Sequence, residues 1–195
     1  ILEQILDVDG HIRIRPYQIE LHSQLQHTIL WQTQKNSGLC ISHYGDESWL
    51  ATGEKQAITF HDAQGELGHE LRALALGMLH HGAGEGMLPI KWNTTKRIIR
   101  CSKRFGLWLQ KQNIAALHLI DTLPALRLRH LIDKYLTENN AQRHLHVAQD
   151  ISSALYWWKL YGIVQSTKIL ALFEEMLAPY IAKKSEYRQK HSIIP

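Results

Sequence analysis

What this sequence lacks excludes most chemistry. Its two cysteines, Cys40 and Cys101, lie far apart and follow no pattern, which fits reduced thiols, with a single disulfide the other option. No Cys-x-x-Cys pair and no helical His-Glu-x-x-His motif accompanies the 13 histidines, so the usual zinc ligand sets are missing. His80 and His81 are adjacent and point different ways on a helix, while His144 and His146 have the spacing of a strand. The glycine stretch GAGEG lacks a following Lys-Ser or Lys-Thr, so it is no phosphate loop. No nucleophile-elbow pattern surrounds any serine. Glu66 and Glu70 share a helix face without a second feature that would make them catalytic, and Glu174-Glu175 read as solvated. No apolar run approaches the roughly 20 residues that span a bilayer, and no signal peptide, repeat or low-complexity segment is present. The chain does not begin with Met and ends in HSIIP, so a piece of a longer protein is expected. No cofactor or metal is expected.

What is present is a modest excess of base, concentrated in one place. The 195 residues carry a formal charge of +4, with a pI near 9.1. Between Lys91 and Lys111 there are seven Lys or Arg and no acid. The stretch Trp92 to Gln112 reads as one helix with opposed faces at about 100° per residue. Arg97, Arg100, Arg104 and Lys111 share one side, with Lys96 and Lys103 on its edge. Ile98, Cys101, Phe105, Trp108 and Leu109 share the other. Asn93, Thr94 or Thr95 can cap its start. Cations beside hydroxyls and free backbone N–H groups make a phosphate-contact set. Arg127 and Arg129 could extend the strip, and Arg143, Lys159 and Lys168 could add to it. An ordinary solvated face is the competing account of each charge.

The rest of the chain divides into a mixed region and a helical one. Over 1–62, Gly10 breaks an apolar start and HIRIR alternates like a strand. Tyr17 to Lys35 is expected as a helix closed by Asn36, Ser37 and Gly38. LCISHY and AITF are expected as short strands around a packing anchor, Trp49. Helices are then expected from Gly65, with a stop at Gly82, over the basic stretch, after Pro124, from Ala141 to about Val164, and from Ser166 to about Lys184, with Pro179 kinking the last one or marking its last turns. Leu126, Leu131, Ile132, Tyr135 and Leu136 form the inner side of the helix after Pro124. The pair Trp157-Trp158 is expected in the core. The fold expected is mainly α, a bundle of about five helices with a small mixed α/β N-terminal region. Residues 1–62 would be that region, 63–183 the helical domain and 184–195 a linker.

The order of signals resembles a known family. YGDESWLATG precedes the short strand AITF, an amphipathic helix and a loop follow, and then comes TTKRIIRCSKRFGLWL; the tail ends HSIIP. This resembles the N-terminal half of a tyrosine recombinase of the phage-integrase type, over residues 42–195. The resemblance implies a SAM-like core-binding domain that clamps one face of a recombination site in double-stranded DNA. It implies other recombinase subunits as partners, a bacterial, nucleoid-associated cytoplasmic setting and no membrane. The family's catalytic arginines, lysine, histidines and tyrosine belong to a further domain. No His-x-x-Arg box occurs here, and Tyr187 falls in the expected linker, so no catalytic residue carries over. The positions matching the family's DNA-contacting helix are Thr94, Thr95, Lys96, Arg97, Arg100, Lys103 and Arg104. Two other classes compete with DNA holding. One is a helical protein-interaction or regulatory module docking around Trp157. The other is a freestanding enzyme built on histidines such as His80 or His144.

Overall fold

The computed structural model describes residues 24–35, 38–82 and 88–191, the side chains of 33–40 and 183–191 excepted. The alternating HIRIR segment, Gly10, residues 17–23 and 83–87 and the last four positions lie outside the described residues. Among the described residues, two antiparallel hairpins precede the helices. Strand β1 (Ile29–Lys35) pairs with β2 (Gly38–His43), and β3 (Ser48–Trp49) pairs with β4 (Ile58–Thr59). Five helices follow: α1 (Gly65–His80), α2 (Trp92–Lys111), α3 (Ala125–Glu138), α4 (His146–Leu160) and α5 (Thr167–His191), with a 3-10 turn at His118–Thr122. The chain is mainly helical, with a small two-hairpin region at the N-terminal side.

The expected helix over Tyr17–Lys35 is corrected by the structure. ILWQTQK is β1, and Lys35 lies opposite Gly38 across the hairpin. Residues 24–25 alone carry helical backbone in the described part of that span. Of the positions whose spacing matched a helix, Ile29 and Leu30 lie in β1, where a register irregularity between Ile29 and Trp31 interrupts the strict alternation of a strand. Helix α4 starts at His146 rather than Ala141, because 139–145 is a succession of turns opened by Asn140 in the left-handed region at φ 51°. Helix α5 passes through Pro179 and continues over residues expected as linker, to His191. Leu126, expected inside, is 81% exposed.

One apolar core joins hairpins and helices. It runs from Leu25, Tyr44, Trp49, Ile58 and Phe60 through α1 and α2 to Phe173 and Leu177 on α5. Residue 62 therefore marks a change of secondary structure with the same core on both sides. Helix α2 packs against α1, α4 and β4. Gly106 lets α1 and α2 approach closely, since a Cβ there would run into Leu67. Gly82 ends α1 with φ 70°, its N–H donating to the Gly77 carbonyl as a glycine stop does.

Two carboxylates fasten the connections. Glu70 is fully buried and accepts from the Leu117 N–H at 2.7 Å, the His118 N–H at 3.0 Å and His118 Nδ1 at 2.5 Å. Asp121 accepts from the backbone N–H groups of Gln165 and Ser166 just ahead of α5. Burial works against a charge on His118. The Glu70 hydrogen bond, and the charges of Glu70, Glu66 and Asp121, outweigh it and hold the His118 pKa above the ordinary histidine value. A group with a raised folded pKa contributes stability that is full below its unfolded value, about 6.5, and is lost as pH rises through the folded value. In urea unfolding, the stability advantage of the native chain over His118→Gln should therefore be largest below about pH 6 and shrink as the pH rises through the raised folded pKa. Glu70→Ala strands buried donors and should cost roughly 3 kcal/mol at pH 7.

Candidate nucleic-acid interface

The geometry of α2 follows from its sequence pattern. Ile98, Cys101, Phe105, Trp108 and Leu109 are all buried. Phe105 stacks near the rings of Trp108 and Trp158 and meets Tyr135 and Phe173 edge-on. Ser102, also buried, accepts the Trp158 indole N–H at 2.9 Å, and Trp108 donates its indole N–H to Glu138 at 2.6 Å. With the inner face so fully engaged, the helix cannot turn about its axis, and the basic face points outward.

That outer face is not uniform. Arg97 and Arg100 are exposed, and neither has an ion-pair partner among the described residues. Lys96 is half-buried and donates to the side-chain carbonyl of Gln56. Thr94 is half-buried. Further along, the cations are engaged within the protein. Lys103 reaches the His61 carbonyl at 3.2 Å and the Thr59 hydroxyl at 3.4 Å, bracing the segment after β4. Arg104 pairs with Asp150 on α4 at 3.4 Å. Arg129 pairs with Glu175 at 3.0 Å. Arg127, Arg143, Lys159 and Lys168 are exposed on later elements.

Two expectations about the start of α2 change. Its first turn is preceded by Lys91, and no side chain caps it, so Asn93, Thr94 and Thr95 do not act as caps. Thr95 is 0% exposed and its hydroxyl has no hydrogen-bond partner among the described residues. It faces inward, one helical step from the basic side, and cannot reach a phosphate.

Beside the exposed arginines lies a cleft of about 410 Å³, lined by Gln56, Ala57, Thr59, Asn93, Lys96, Arg97 and Arg100. Of this set the sequence pointed to Lys96, Arg97 and Arg100 as contacts and to Asn93 only as a cap, and it did not point to Gln56 or Thr59. Their signal is contact across the chain: the Trp92 indole N–H donates to the Gln56 carbonyl at 2.7 Å, 36 residues away. No protein-family model, no curated protein and no solved structure matches this chain.

Other candidates offer less. A second cavity, of about 280 Å³, is lined by Tyr44, Glu47, Phe60, Asp62, His69 and Arg72, among others. Its arginine is committed to the fold, lying over the Phe60 ring and donating to the carbonyls of Gly45 and Asp46. His80 stacks on Trp31, and His144 sits beside His146. Among the described residues no group of three or more His, Cys, Asp or Glu is placed to hold a metal. Burial, and then the neighbouring Asp150 carboxylate, push the Cys101 thiol up to about 11, so it is a poor nucleophile. No described helix is long and apolar enough to cross a membrane.

The buried Thr95 hydroxyl yields a simple test. Thr95→Val should keep duplex affinity unchanged and raise stability by up to about 1 kcal/mol, because a desolvated hydroxyl without a partner is replaced by a methyl group. Urea unfolding and a duplex-binding isotherm check the two halves.

Proposed function

We propose that this chain holds duplex DNA through the outer face of α2, as the core-binding part of a site-specific tyrosine recombinase. The observation that carries the proposal is the pair Arg97 and Arg100, exposed on a rigidly seated helix with no acid neutralising them among the described residues. Lys96 and Thr94 flank them. Exposed, uncompensated cations held at fixed spacing suit phosphate oxygens, which position a protein on a duplex without reading its sequence. The recombinase assignment is supported by the order of segments from YGDESWLATG to TTKRIIRCSKRFGLWL. In that reading, strand cleavage and rejoining belong to a separate catalytic domain, other recombinase subunits share the DNA, and the setting is the bacterial nucleoid in the cytoplasm. The aromatic docking face of the competing interaction-module reading has little to offer. Trp158 is fully buried and Trp157 is 9% exposed, which leaves Tyr156 as the exposed ring.

Fluorescence anisotropy with a short labelled duplex tests the reading. Affinity should fall steeply with salt, and the double variant Arg97→Glu/Arg100→Glu should bind at least about tenfold more weakly, with a log–log salt slope shallower by about 2. Its unfolding midpoint should stay near that of the native chain, since both side chains are exposed. If the native chain leaves duplex DNA unbound at low salt, this half does not hold DNA.

A further inference from the structure

We infer that the cleft between α2 and the β3–β4 hairpin is a seat for a single phosphate group, with the hairpin as its second wall. The inference rests on the duplex-binding reading only for the source of that phosphate. The cleft places Lys96, Arg97 and Arg100 on one side and the neutral groups of Gln56, Thr59 and Asn93 around them, with no carboxylate among its described lining residues.

The contrast with the rest of the surface gives the cleft its meaning. Arg104 and Arg129 each meet an acid, and Lys103 is tied to the segment after β4. The partner of Lys96 is different: the amide of Gln56 accepts its hydrogen bond and leaves its charge uncompensated. Gln56 is itself anchored, because its backbone carbonyl accepts the Trp92 indole N–H. Three cations are thereby gathered in one concavity that no acid among the described residues neutralises, a local potential that an anion relieves. A volume of about 410 Å³ falls in the range of small-ligand clefts, roughly 300–1,000 Å³. It admits a phosphate together with an attached sugar, so both a duplex backbone and a free phosphate ester fit the chemistry. The binding footprint is then the first half of α2 plus the hairpin, and the second half of the helix lies outside it.

The test uses the full chain, a short duplex and inorganic phosphate. Gln56→Glu sets a carboxylate opposite Lys96 without removing any cation, and Asn93→Asp does the same from the helix side should the first variant fold poorly. Lys111→Glu is the control: it is exposed on the same helix, roughly 16 Å beyond Arg100 along the axis, about two Debye lengths at physiological salt. The cleft variants should lose at least about tenfold in duplex affinity, with a shallower salt slope, and the control less than about twofold. In amide NMR spectra, added phosphate should shift the side-chain NH₂ signals of Gln56 and Asn93. If the native chain binds duplex and the cleft and control variants weaken it equally, the seat is overturned while duplex holding stands. If duplex fails to bind but phosphate shifts those two amides, the seat stands with a free phosphate ester as its ligand and the duplex reading falls. If phosphate moves neither amide and duplex does not bind, both are overturned.

Discussion

Phe105 meets one aromatic ring from each of the three C-terminal helices. Tyr135 of α3 lies at 4.9 Å, Trp158 of α4 at 5.6 Å and Phe173 of α5 at 6.1 Å between ring centroids. Burying a side chain of this size is worth about 1.5–3 kcal/mol, with a further increment from well-placed ring pairs. The geometric effect matters as much as the energy. Three helices converge on one ring of α2, so its rotation and height are set from three directions. Gly106 next to it lets α1 close the remaining side against Leu67. The outward direction of Arg97 and Arg100 is what is left once every inward direction is taken.

The positive charge of the chain is a poor guide to what a partner meets. Of the cations on α2, Lys103 and Arg104 hold the protein together, whereas Arg97 and Arg100 in its first half have no ion pair among the described residues. Arg72 is likewise committed, to backbone carbonyls and the Phe60 ring. Local compensation decides availability, and it depends on residues distant in sequence: Asp150 is 46 residues from Arg104, and Gln56 is 40 from Lys96.

The same distance explains what was legible in the sequence. The two faces of α2 follow from periodicity alone, because an amphipathic helix repeats within a few residues. The strands LCISHY and AITF and the anchor Trp49 were visible for a similar local reason. The strand Ile29–Lys35 was not, since its bulge disguised the alternation. Thr95 was misplaced because it borders the basic arc by sequence yet falls inside by a fraction of a turn. Glu70 and Gln56 were out of reach: an acid and an amide acquire their roles only from the groups that the fold brings to them, at Leu117 and His118 in one case and at Trp92 and Lys96 in the other.

The fasteners around α2 close loops of increasing span. Trp92 reaches back 36 residues to Gln56, Glu70 forward 47 to Leu117, Trp158 back 56 to Ser102, and Tyr161 back 79 to Gly82. Contacts of such sequence separation carry a loop-closure cost that must be met before the contact gains anything. During synthesis, a chain that has emerged only through α2 already carries every cation of the basic face. It still lacks Tyr135, Trp158 and Phe173, the rings that hold that face in position. The surface that would grip a phosphate is therefore written early in the chain and becomes a surface only after the last helices have been made.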